Sequence, residues 1–90
     1  MKKCIITVVG KDNVGIIAKV TAYIADTNMN VLNISQTIVN GYFNMIAIVD
    51  ATDMNKDMVT VAAELEKLGT EIGVSIQCQR EEIFEKMHRL

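Results

Sequence analysis

The run Val8-Val9-Gly10-Lys11-Asp12-Asn13-Val14-Gly15-Ile16-Ile17 constrains this chain more than any other feature. The dense β-branched segment Lys3 to Val9 reads as a strand. Within a few residues it gives way to helical spacing, with Ile17, Val20, Thr21 and Ile24 apolar over a predicted helix from about Val14 to Thr27. A strand that runs straight into a helix sends the chain back over one face of a sheet, and such crossovers are right-handed. Gly10 and Gly15 punctuate the turn, because Gly takes positive φ freely and leaves room for a second backbone or a ligand. Asp12 or Asn13 is placed to cap the helix. The free N–H groups near Val14 to Ile16 attract anions and carboxylates, so this turn is the first place to look for a small-molecule site.

The rest of the chain alternates strand and helix signals. Val31 to Val39 is a strand with Leu32, Ile34 and Ile38 on one face, interrupted by Gln36, and Asn33, Ser35 and Thr37 on the other. Asn40-Gly41 predicts a type I′ hairpin into an antiparallel strand, Tyr42 to Ala51. Met58, Val61, Leu65, Leu68 and Ile72 form the stripe of a second helix. Because Ile72 continues that stripe, the helix is expected to end at Gly73, leaving Gly69 inside it at a cost of about 1 kcal/mol. Val74 to Gln79 is the fourth strand. Glu81 to Leu90 is a short amphipathic helix with Ile83, Phe84, Met87 and Leu90 on its apolar side. A helix that short must dock on something.

The order β-α-β-β-α-β plus a tail gives a single domain over residues 1–90, an α+β ferredoxin-like sandwich. Right-handed crossovers make a four-stranded antiparallel sheet in order 4-1-3-2, with two helices on one face. The other face and the edge of the second strand are left uncovered, and either can accept a second copy, so a homodimer is expected on physical grounds. Cys4 and Cys78 fall on the helix side of neighbouring strands, where a bridge is conceivable; in a reducing cytosol two buried thiols are expected instead.

Composition removes whole classes of function. Half the residues are apolar but only 4% are aromatic, so the core is built from Ile, Val, Leu and Met. A net charge of −2 is not the footprint of a nucleic-acid binder. No apolar run approaches the roughly 18 residues of a membrane helix. The run after Met1-Lys2-Lys3 stops at Gly10-Lys11-Asp12 without a cleavage site, so a cytoplasmic protein is expected. One His and two distant Cys make no zinc pattern, and no cofactor or metal is expected. Arg80 and Arg89 are the only arginines, so the phosphate-cradling loop of an acylphosphatase is missing. Paired loop cysteines for metal transfer are missing too. So are aromatics on the central first strand for stacking RNA bases. No nucleophile stands near a base, so no enzyme is expected.

Gly10-x-Asp12-x-x-Gly15-Ile16, followed by Asn30-Val31-x-x-Ile34 at the start of the second strand, resembles the ACT domain family. Ile6 to Asp12, Ile34 to Thr37 and Ile83 to Glu85 also resemble segments of the small stand-alone ACT proteins of bacteria and archaea. The resemblance spans essentially the whole chain. It implies a non-catalytic regulatory module that binds an amino acid where two subunits meet. Asp12, Asn13, Gly15 and Ile16 would line one side of the site, and Asn30 and Ile34 of the other subunit the second side. Asp12 would take an α-ammonium group. A carboxylate there, where many serine-type ACT sites carry a neutral amide, would also repel an amino acid's own carboxylate. The competing expectation is an interaction subunit that binds a metabolic enzyme through its sheet surface and tail helix, with no small ligand.

Overall fold

A computed structural model describes residues 1–87. The elements run β1 (Lys3–Lys11), α1 (Ile16–Asp26), β2 (Asn30–Val39), β3 (Tyr42–Asp50), α2 (Met58–Ile72), β4 (Val74–Arg80) and α3 (Glu81–Met87). The strands pair antiparallel in the order β2-β3-β1-β4, which is the expected order read from the other edge. This is the βαββαβ ferredoxin-like fold.

Alternation in β1 and β3 decides where the core lies. Cys4, Ile6 and Val8 stand opposite Val49, Ala47 and Met45. On the other side of β1, Ile6 and Val8 stand opposite Cys78 and Ile76 of β4. All of these are buried. Ile16, Val20 and Ile24 of α1 and Val61 and Leu65 of α2 complete the same cluster. Tyr23 ties the two helices together. Its hydroxyl donates to Glu64 Oε1 at 2.7 Å, and Lys56 Nζ donates to the same oxygen at 2.8 Å. Burial, and then donation to Glu64, push the Tyr23 hydroxyl up to about 12.

Two stops follow the sequence. Asn40 and Gly41 have φ of 52° and 80°, the two positive values a type I′ turn requires. Gly73, at φ 79°, ends α2, as expected. Gly69 is buried inside that helix, where a Cβ would lie 2.6 Å from the Val74 carbonyl oxygen. Its helical cost therefore permits α2 to press onto β4. At the other end of α2, the Asp57 side chain accepts from the Thr60 N–H at 2.7 Å.

Other expectations are corrected. Neither Asp12 nor Asn13 caps α1: the N-cap is Gly15, left-handed at φ 91°, with no side-chain bond. The helix starts two residues later than expected for that reason. In β2 the pairing shifts between Val31 and Asn33, so Val31 stands opposite Val49 and Ile34 opposite Ala47. Leu32 is thus the extra residue of a bulge, which interrupts the alternation expected of Leu32, Ile34 and Ile38. Helix α3 lies against β1 and β4 of its own chain. Phe84 is half-buried, but Ile83 is exposed. The Met87 side chain and Leu90 lie outside the described residues. Among the described residues, no helix is long and apolar enough to cross a membrane.

Candidate functional site

The segment Asp12 to Gly15 crosses the end of the sheet where β1, the β2–β3 hairpin and the end of α2 meet. Gly10 is needed just before it, because a Cβ there would lie 2.7 Å from Val74 Cγ1 on the neighbouring strand. Three hydrogen bonds fix the loop. The Asp12 N–H donates to the Gly41 carbonyl at 2.9 Å. The Asn13 side-chain amide donates to the Ile72 carbonyl at 3.3 Å and to the Lys11 carbonyl at 3.4 Å. Asn13 is thus a brace between the loop and α2. The Asp12 carboxylate is exposed, and Val14 beside it is fully exposed.

At Gly15 the left-handed conformation turns the chain into α1, and the Gly15 carbonyl accepts from the Lys19 N–H at 3.0 Å. With Gly15 as N-cap, the first-turn N–H groups of Ile16, Ile17 and Ala18 have no side-chain cap. Such N–H groups at a helix N-terminus favour an anion such as a carboxylate. The Ile16 side chain is 2% exposed and belongs to the core, so that residue offers a ligand only its backbone N–H. A Cβ at Gly15 would meet nothing within 4 Å, so the space above the turn is open.

Asp12, Asn13, Gly15 and Ile16 are therefore brought together, and Asn30 is not. Asn30 starts β2 opposite Asp50, and Lys3 at the start of β1 is also opposite Asp50. The ten residues of β2, at about 3.3 Å each, put Asn30 about 30 Å from the hairpin end beside the loop. Ile34 lies between the two ends on the helix side of β2 and is 38% exposed. One chain thus holds Asp12 to Ile16 and Asn30 at opposite ends of an edge strand, with Ile34 between them.

A second opening lies at the Asn30 end of the sheet. This cleft of about 770 Å³ is lined by Lys2, Cys4, Met54, Met58 and Arg80, among others. Cys4 and Cys78 are free and buried. A hydrogen bond from the Cys78 thiol lowers Cys4 to about 7 against the opposing effect of burial, and the charges of Arg80 and Lys2 act in the same direction. The bond to Cys4 and burial push Cys78 up. Alternation placed both thiols on one face; that Met58 joins them was not visible in sequence, because it depends on where α2 lands.

The family model for the ACT domain matches residues 2–79. A UPF0237 protein of Bifidobacterium longum is 60% identical over 90 residues, covering 100% of both chains. A UPF0237 protein of Listeria monocytogenes is 46% identical over 88 residues, covering 98% of this chain and 99% of its own. Among solved structures, an ACT domain protein from Streptococcus pneumoniae superposes with a TM-score of 0.82 at 43% identity, covering 93% of this chain and 94% of its own. With strand order, loop and sequence in agreement, this chain belongs to the ACT domain family.

Proposed function

We propose that this protein is a non-catalytic cytoplasmic regulator of amino-acid metabolism that works as a homodimer and senses an amino acid between its subunits. ACT domains are regulatory, ligand-binding modules. The observation that carries the proposal is the division of the site. Asp12 to Ile16 sits at one end of β2 and Asn30 at the other, along an edge whose ten residues are all exposed. Strand edges with free backbone groups accept further strands. A second copy related by a two-fold axis would pair its β2 antiparallel to this one. That operation brings the partner's Asn30 to the end of β2 where this chain holds Asp12 to Ile16. The ligand's carboxylate would rest on the first-turn N–H groups of α1 and its ammonium on Asp12. The Asn30 amide can donate to one or accept from the other.

A thermal-shift screen of the twenty amino acids tests this. A ligand at ten times its dissociation constant adds about 1.4 kcal/mol. For a chain of this size that raises Tm by roughly 6–11 °C. The expected result is a shift with one or a few amino acids, lost in Asn30→Ala and kept in Ser35→Ala. No shift with any amino acid would instead favour an interaction subunit that binds a partner enzyme. That second reading draws on Val9, Tyr42 and Ile46, which expose about half their surface on the sheet face away from α1 and α2.

A further inference from the structure

We propose that Cys4, Cys78 and Met58 form a site for one soft monovalent cation of the Cu(I) class. Cys4 Sγ lies 3.8 Å from Met58 Sδ. Cys4 pairs with Arg80 and Ile6 with Cys78, so the two thiols are diagonal neighbours on the helix face of adjacent strands. Cys4 and Cys78 are both buried in the same core cluster. Sulfur atoms of β1 and α2 thus meet where the helix reaches the sheet, with Cys78 of β4 one diagonal step away on the same face.

The spacing lets two of the sulfurs share one ion. Two sulfurs 3.8 Å apart, each about 2.3 Å from a metal as in metal–thiolate bonds, subtend an angle of about 110° at the ion, so both can ligate it without moving. The donor set selects the ion: thiolates with a thioether favour Cu(I), and oxygen-preferring cations find no ligand among them. A structural zinc site takes four Cys, His or carboxylate ligands. Among the described residues, no three His, Cys, Asp or Glu side chains come together to provide them.

An entry path and a charge balance are present. Cys4 and Met58 line the 770 Å³ cleft, so an ion can reach them from solvent; Met54 lines the same cleft. Binding releases the two thiol protons to solvent. Two thiolates with a monovalent cation leave a net charge of −1, and Lys2 and Arg80, both cleft residues, oppose it. The site is at the opposite end of the sheet from Asp12 to Ile16, so it stands independently of the amino-acid reading.

The test is anaerobic titration of the reduced full chain with Cu(I) against a chromophoric Cu(I) chelator. One equivalent bound with thiolate-to-copper charge-transfer absorption is expected, together with a rise in Tm. Zn(II) should not displace the ion. Cys4→Ser and Cys78→Ser should each abolish competition with the chelator. Because a core serine can itself unfold the chain, Met58→Leu is the decisive variant. It conserves volume and keeps both thiols, and its far-UV spectrum should match the parent, while affinity falls at least roughly tenfold, the scale of losses at metal-site shells. Failure of the parent to compete, a stoichiometry above one, displacement by Zn(II), or parental affinity in Met58→Leu would each overturn the proposal.

Discussion

Along β4, Val74, Ile76 and Cys78 are buried beneath α2, whereas along β2 every residue from Asn30 to Val39 is exposed. Both strands carry apolar residues toward the helix side: Val74, Ile76 and Cys78 on one, Val31, Ile34 and Ile38 on the other. The difference lies in how near the helix comes. Gly69 lets α2 bring its backbone against Val74 and Ile76. Helix α1 touches β2 without covering it. Alternation alone thus makes a strand ready for burial, and the approach of a helix decides whether this chain or another supplies the cover.

The largest expected effect tests the closed edge. Leu65→Ala, at a fully buried position of α2, should cost about 2–5 kcal/mol in urea unfolding. A loss below about 1 kcal/mol would mean that α2 does not anchor this side. Next is Gly69→Ala. Better helix propensity offers about 1 kcal/mol, but the new Cβ meets a carbonyl oxygen at 2.6 Å. A net loss of about 1–3 kcal/mol is expected, as for other overpacked sites. A stabilised variant would contradict the close approach of α2 and β4.

Tyr23→Phe tests the tie between the helices and should remove about 0.5–1.5 kcal/mol at neutral pH, the range of one hydrogen bond. The Tyr23 hydroxyl titrates near 10 when unfolded and is raised to about 12 in the fold. Its contribution is therefore complete below about pH 10 and is lost as pH rises toward 12. Parent and variant should converge over that window, and parallel curves would remove Tyr23 from the account. The smallest effect on the fold should come from the open edge. Ile38→Lys, at a residue 60% exposed, should leave monomer stability within about 0.5 kcal/mol. In sedimentation the same variant should shift the population toward monomer, and an unchanged dimer would move the interface away from β2.

Features set by neighbouring residues were legible in the sequence. Asn40-Gly41 had to be a tight hairpin, and Ile72 carried the α2 stripe past Gly69 to Gly73. Features that depend on a distant partner were not. Asp12 and Asn13 have good capping chemistry, but the Asn13 amide is bonded to the Ile72 carbonyl, which lies at the far end of another helix. The bulge after Val31 is invisible in a strand read alone, because register exists only relative to β3. The candidate site divides in the same way. The cluster Asp12 to Ile16 is local and could be read directly, whereas the separation from Asn30 follows from strand direction and length. The meeting of Cys4 with Met58 depends on the descent of α2 onto β4, and no local pattern encodes it.

The central position of β1 has a consequence for how the chain is made. One side of β1 pairs with β3, which is complete at residue 50; the other pairs with β4, which is complete only at residue 80. Once the first fifty residues are free of the ribosome, β1, α1 and the β2–β3 hairpin can form, but neither α2 nor the strand that seals β1 is yet available. During that interval β1 has a bare edge, and its row Cys4, Ile6 and Val8 lacks half its neighbours. Pairing between residues so distant in sequence is slow, and unsealed edges are the hazard of partly made chains. The joining of β4 to β1 is therefore the step that completes the native topology.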